Sequence, residues 1–265
     1  MAPAAPPAGI VARLRAAGCV FAEEEAALLV DAASSAEELE RMVTDRVDGT
    51  PLEVLVGWAE FCGLRIVVAP GVFVPRRRTE LMARRAAALA GPGSVVLDLC
   101  CGTGAVGAAV LAAVPTAEVY AAELDPAAVA CARRNLPPDR VLEGDLYDAL
   151  PEGLRGRVDV LACNAPYVPT DEIALMPPEA RDHEHRVSLD GGADGLDVHR
   201  RVAAGAPAWL APGGHLLIET SVAQAPATAA LMTTAGLDTE VVHDEDVGGT
   251  VVVGTEVGAG RGHSA

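Results

Sequence analysis

Apolar positions change their spacing along the chain, and the changes divide it. Between residues 10 and 62 they recur at helical intervals: Ile10, Val11 and Leu14, then Ala26, Leu28, Leu29 and Val30, then Leu39, Met42, Val43 and Val47 among acids and arginines. Such stripes each bury one face of a helix, so this stretch reads as several short helices with little strand character. From Gly63 the texture becomes LRIVVAPGVFVPRRR, β-branched and punctuated by proline, which reads as a strand or hairpin running into a linker over residues 63–80. Residues 79–89 return to helical spacing. Thr79 is placed to cap that helix, and Glu80 falls in its first turn, where the helix dipole favours a carboxylate.

Beyond residue 94 short apolar runs alternate with helical stretches. The strands are SVVLDL, EVYAAEL, a short piece at 140–142, VDVLAC and GGHLLIET; the helices are 105–114, 126–135, 198–209 and 224–235. Alternation of this kind predicts an α/β domain, an open parallel sheet with helices on both faces. Two late strands, around Glu240 and at 250–255, are close enough to form a hairpin and an antiparallel edge. The resulting layout is a disordered tail at 1–9, a helical domain at 10–62, a hairpin and linker at 63–80, the α/β domain at 81–257 and a flexible tail at 258–265. Residues 168–197 show little regular pattern, and an irregular segment that long predicts a substrate-gating loop.

Composition narrows the partners. There are 20 Lys and Arg against 37 Asp and Glu, a net charge of −17, which repels a phosphate backbone at long range and disfavours a stable nucleic-acid complex. The only dense basic run, Arg76, Arg77 and Arg78, reads as a solvated linker. Six cysteines lack C-x-x-C spacing and no signal sequence or membrane-length apolar run accompanies them, so the expectation is reduced thiols in a cytoplasmic protein without a membrane anchor. His183 and His185 sit among acids in RDHEHR, but no third ligand falls at useful spacing, and a polar loop is expected there and no metal.

Candidate chemistry gathers at the carboxyl ends of the strands. In VVLDLCCGTGAVGAAV, Asp98 precedes a turn with Gly102, Gly104 and Gly107, where a backbone without side chains can approach a ligand and a helix start offers free N–H groups. Glu123 ends the next strand, nineteen positions after Gly104, where a carboxylate can accept from both hydroxyls of a ribose. The glycine spacing alone fits a dinucleotide or S-adenosylmethionine equally. Asp98 favours the second, because a carboxylate there opposes a pyrophosphate and pairs with the ammonium of a methionine moiety. Asp145, in GDLY after the third strand, is a candidate partner for an adenine amine.

The fourth strand ends in Cys163-Asn164-Ala165-Pro166-Tyr167. With GTPLEVLVGWAEF at 49–61, VPRRRTE at 74–80, DLCCGTGA, NAPY and LDGGADGLD at 189–197, the chain resembles the HemK/PrmC family of protein-(glutamine-N5) methyltransferases over nearly its whole length. The resemblance implies a Rossmann-like class I S-adenosylmethionine-dependent methyltransferase sheet with a small helical N-terminal domain that recognises substrate. It implies a protein partner bearing an exposed glutamine, such as the Gly-Gly-Gln loop of a peptide-chain release factor or a ribosomal protein. It further implies that Asn164 and the carbonyl of Ala165 accept the two amide N–H bonds, that Pro166 and Tyr167 complete the catalytic tetrapeptide, and that Arg76 and Glu80 contact substrate. The cofactor would be held by Asp98, Cys100, Gly102, Thr103, Gly104, Glu123, Asp145, Leu146 and Asn164. An amide nitrogen is a weak nucleophile, its lone pair delocalised into the carbonyl, so the site must work by positioning.

Four features depart from the family pattern: Ala165 replaces a proline, Arg77 and Arg78 stand where the family commonly has Pro or Asp, Leu146 occupies a position where some members have Trp, and Cys100 and Cys101 replace the usual Gly or Thr before Gly102, read as small side chains filling a tight turn. Pro166 still biases residue 165 toward extended backbone. The rival readings are a methyltransferase for nucleic-acid amines, which shares the tetrapeptide, and a catalytically idle cofactor-binding module.

Overall fold

Alternate residues of the central strands feed two different cores, which is what period-two side-chain geometry requires of a sheet covered on both faces. Val96, Val160, Ala162, Leu217, Val251 and Val253 pack one way; Leu97, Leu99, Leu161, Leu216, Ile218 and Val252 pack the other. These strands are β3 (Val95–Leu99), β4 (Glu118–Glu123), β5 (Val141–Glu143), β6 (Val158–Cys163), β7 (Leu210–Glu219), β8 (Leu237–Asp244) and β9 (Gly249–Glu256). The computed structural model describes residues 8–258 and orders the seven strands β5-β4-β3-β6-β7-β9-β8. Pairing is parallel except where β9 runs antiparallel to β7 and to β8. The late hairpin therefore enters as expected, with β9 inside and β8 at the edge.

Helices α5 (Glu80–Leu89), α6 (Ala105–Ala113) and α7 (Pro126–Ala132) cover the first face; α9 (Asp197–Gly205) and α10 (Ala225–Thr234) cover the second. The chain leaves β3 toward β4 on one side and β6 lies on the other. The reversal opens a crevice at the carboxyl ends of β3 and β6, the usual ligand position in open α/β sheets.

Ahead of the sheet, α1 (Ala8–Ala16), α2 (Ala22–Ala32), α3 (Ala36–Val47) and α4 (Leu52–Val56) enclose a small core of Leu14, Ala22, Ala26, Leu29, Met42 and Val43. Each fully buried leucine here contributes about 1.5–3 kcal/mol, whereas the alanines contribute far less. Ser35 accepts from Glu38 N–H to cap α3. Ala8 and Gly9 already belong to α1, and the outer parts of the two expected tails, 1–7 and 259–265, lie outside the described residues.

Strand structure begins earlier than the helical reading of 10–62 allowed. β1 (Trp58–Phe61) pairs antiparallel with β2 (Leu64–Val67) through a turn at Cys62 and Gly63, both at positive φ (51° and 76°). Short alternating strands with such a turn form a tight hairpin, and WAEF buries Ala59 and Phe61 on one side only. Asn135 fixes the segment to the main domain: it accepts from Val67 N–H and donates to the carbonyls of Val67 and Thr103, all at 2.9 Å. Among the described residues no helix is long and apolar enough to cross a membrane.

Candidate active site

The turn after β3 carries three residues at positive φ within five positions: Cys100 (54°), Gly102 (54°) and Gly104 (75°). The glycines serve different ends. A β-carbon on Gly102 would meet nothing, since it faces open space, whereas one on Gly104 would lie 2.8 Å from Leu136 Cδ1. Gly107 sits under the sheet, 3.1 Å from Val119 by the same measure, and donates its N–H to Asp98 Oδ2 at 2.9 Å. Gly102 therefore faces open space, while Gly104 and Gly107 let α6 approach the sheet closely.

A cavity of about 910 Å³ opens above this turn. Asp98 lines it while only 2% exposed, and burial pushes its pKa up to about 7, with the Glu123 charge adding to the rise and the Gly107 N–H opposing it. Glu123 is held rigidly at the rim: it accepts from Gly102 N–H (2.9 Å), Leu124 N–H (2.7 Å) and Asp125 N–H (2.9 Å). Cys100, Thr103, Asp145 and Leu146 also line the cavity, and Leu146 takes a strained φ of 49°. Asp145 has a partner the sequence did not suggest, Arg201, at 2.8 Å.

The opposite wall is built on the end of β6. Asn164, Ala165, Pro166 and Tyr167 all line it. The Asn164 Nδ2 donates to Thr79 Oγ1 at 3.3 Å, which leaves Oδ1 to accept from a ligand. Tyr167 donates its hydroxyl to Glu219 at 3.4 Å, and Arg78 donates Nε to the same oxygen at 3.3 Å with its guanidinium 5.9 Å from the Tyr167 ring. Burial, then the Glu219 charge, pushes the Tyr167 pKa up to about 12, so the hydroxyl keeps its proton. Gln224 Nε2 donates to the Tyr167 carbonyl at 3.0 Å and holds the backbone.

Residues 168–197 form a roof over the cavity. They contain α8 (Pro178–His183) and two 3-10 turns, more local order than the pattern suggested. The RDHEHR segment is the anchor. Glu184, buried, accepts from Val74 N–H at 3.1 Å and pairs with Arg76, while the His185 ring pairs with Asp125 and the His185 backbone N–H donates to the Gly71 carbonyl at 2.9 Å. Arg46 of α3 bonds Glu25 and Glu179, both at 2.7 Å, tying the helical domain to α8. No group of His, Cys, Asp and Glu suited to a metal occurs among the described residues.

Most of the residues expected from sequence meet at this one cavity, with two exceptions. Gly104 shapes the turn from behind. Glu80 accepts from Cys62 N–H at 3.4 Å and Arg84 at 3.1 Å, so it braces the β1–β2 hairpin and does not line the cavity. The basic run is not a solvated linker throughout: Arg76 and Arg78 both reach buried carboxylates. Sequence reading passed over Thr79 as a side-chain partner, Arg78, Glu184, Glu219 and Gln224. Glu219 had left a signal, a lone carboxylate closing the apolar strand GGHLLIET at the functional edge of the sheet.

Residues 63–176 match the family model for the methyltransferase small domain. A release factor glutamine methyltransferase from Geobacter sulfurreducens is 35% identical over 221 residues, covering 82% of this chain and 77% of that protein. One of the same description from Cereibacter sphaeroides is 40% identical over 77% of this chain and 73% of its own length. A 4-amino-L-phenylalanine/4-methylamino-L-phenylalanine methyltransferase from Streptomyces pristinaespiralis is 38% identical over 73% of this chain and 69% of its own. Among solved structures, a methyltransferase from Pyrococcus furiosus superimposes with a TM-score of 0.56 at 19% identity over 74% of this chain and 90% of that one, a likeness of fold.

Proposed function

The chain belongs to the release factor glutamine methyltransferase family, and from that membership we propose that it methylates a glutamine side-chain nitrogen in a peptide-chain release factor, using S-adenosylmethionine. One observation carries the reading: the Asn164 carboxamide, its NH₂ end tied to Thr79, lines the same cavity as Asp98 and Glu123.

The residues present suit the cofactor. Asp98 has a raised pKa because it is buried beside another acid, and an ammonium in contact would relieve that cost. With Glu123 at the rim, this wall favours a cationic nucleoside and opposes a pyrophosphate. In the proposed assignment Asp98 takes the ammonium, Glu123 the ribose hydroxyls, Gly102, Cys100 and Thr103 supply the close backbone approach, and Asp145 with Leu146 borders the base. Bound there, S-adenosylmethionine supplies a methyl group made electrophilic by a positive sulfur.

On the other wall Asn164 Oδ1 and the Ala165 carbonyl accept the two N–H bonds of the substrate amide. Held that way, the nitrogen has its face directed at the cofactor. Tyr167, kept protonated and fixed by Glu219, packs against the flat group. As the N–C bond forms and the methyl–sulfur bond breaks, its electron pair staying on sulfur as a neutral thioether, the nitrogen gains positive charge, and two oxygens and a π-face stabilise it more than they stabilise the starting amide. The N–H proton then leaves to solvent, restoring a neutral secondary amide.

An aromatic amine is the second reading, favoured by the 38%-identical relative acting on 4-amino-L-phenylalanine. An aniline nitrogen is likewise flat, with a delocalised lone pair. Intact-mass analysis of a co-expressed release factor decides: the gain of one methyl, located on glutamine, supports the proposal. An unmodified release factor with methylated 4-amino-L-phenylalanine transfers the assignment to the amine, and methylated RNA transfers it to nucleic acid.

A further inference from the structure

Thr79 occupies the position of a helix N-cap but caps nothing. The chain enters α5 through a 3-10 turn, Arg77–Thr79, so Thr79 is already helical (φ −69°, ψ −17°) and its side chain makes no capping bond. Its buried hydroxyl instead accepts from Asn164 Nδ2. On β7, Glu219 accepts from Arg78 and Tyr167 through Oε1, and its buried Oε2 has no hydrogen-bond partner.

A hydroxyl has one proton to give and two lone pairs to accept with. In this structure the Thr79 hydroxyl turns a lone pair to Asn164 Nδ2. A carboxamide has two chemically opposite ends of nearly equal size, so a half turn about its last bond exchanges donor for acceptor at little steric cost. Against an acceptor at Thr79 only the NH₂ end is favourable, and the oxygen is thereby turned to the cavity. In the reversed orientation the cavity would present N–H donors to a nitrogen that itself has only N–H bonds to offer.

We propose that Thr79 is a positioning residue that determines which end of the Asn164 carboxamide faces the nitrogen to be methylated. This rests on the methyl-transfer reading of the site.

Thr79→Val keeps the branched shape and removes the hydroxyl; Thr79→Ser keeps the hydroxyl and removes the methyl. The expected result in the full chain, with a release factor as substrate, is a kcat about 10- to 100-fold lower for Thr79→Val, an unaltered KM for S-adenosylmethionine, and recovery of most of the rate in Thr79→Ser. Undiminished kcat in Thr79→Val overturns the proposal, and so does an equal loss in Thr79→Ser, which would mark a packing role. A second readout needs no turnover: the side-chain NH₂ resonances of Asn164 in ¹⁵N spectra, assigned by their loss in Asn164→Ala. They should move in Thr79→Val and stay in Thr79→Ser. If the unaltered protein methylates no release factor, the substrate assignment fails by itself, and these resonances still decide: unmoved in Thr79→Val, they overturn the positioning role.

Discussion

The two walls of the cavity are built over very different distances along the chain. On the β3–β4 side Asp98 reaches Gly107, nine positions away, and Glu123 reaches Leu124, Asp125 and Gly102, separations of 1, 2 and 21. On the β6–β7 side Asn164 meets Thr79 across 85 positions, Tyr167 meets Glu219 across 52, and Arg78 meets Glu219 across 141. The first wall is a turn and two strand ends, shaped by glycines and backbone N–H groups. The second exists only once α5, β6 and β7 have packed together. Cofactor affinity should therefore respond to changes in the first wall, and turnover to changes in the second.

The largest effect should come from Asn164→Ala. Losing a preorganised polar group at the reacting nitrogen is expected to lower kcat about 100- to 1,000-fold, while calorimetry finds the dissociation constant for S-adenosylmethionine unchanged. A parallel loss of cofactor affinity would erase the division between the walls. Glu123→Ala should do the reverse, weakening cofactor binding about 10- to 100-fold, the scale of charge-assisted hydrogen bonds, with kcat at saturating cofactor nearly preserved. An unaltered dissociation constant would remove Glu123 from the ribose assignment.

Asp98→Asn sharpens the comparison through pH. The folded protein holds the Asp98 pKa at about 7, above the ordinary value, so its proton is bound more tightly in the folded than in the unfolded state. That contribution to stability is fully present below the unfolded pKa and is lost as pH rises through about 7. The free protein carrying Asp98→Asn should therefore gain on the order of 1–3 kcal/mol over the unaltered chain above pH 7, fading at lower pH, as read by urea unfolding at pH 6 and pH 8.5. It should also bind S-adenosylmethionine more weakly. In the unaltered chain affinity should fall as pH drops below about 7, because a proton must leave before the ammonium can pair. The smallest effect is expected from Ala165→Pro. Only the backbone carbonyl of residue 165 is assigned a task, proline keeps it, and kcat should change less than about threefold.

The same difference in distance explains what could be read in advance. Asp98, Gly102 and Glu123 were legible because local patterns place them: apolar runs mark the strand ends, and glycines mark the turn between them. NAPY was legible through family resemblance and its place at the end of VDVLAC. Thr79 misled, since a threonine before a helical stretch reads as a cap, and only the preceding 3-10 turn and the arrival of β6 give its hydroxyl another partner. Arg78 misled for a similar reason: an arginine run in a linker looks solvated until a buried carboxylate from β7 lies against it. Glu80 was expected at the substrate, yet the hairpin at 58–67 captures it.

Period-two alternation and glycine placement are properties of neighbouring residues, so the amino-acid sequence by itself determined the α/β layering, the crevice at the strand ends and the carboxylates that border it. The orientation of Asn164, the pairing of Arg78 with Glu219 and the roof anchored by Glu184 arise between segments tens of residues apart. They depend on which buried polar groups are left facing one another when the apolar faces close, and a buried donor or acceptor must take whatever partner that closure brings. Only the tertiary structure decided them.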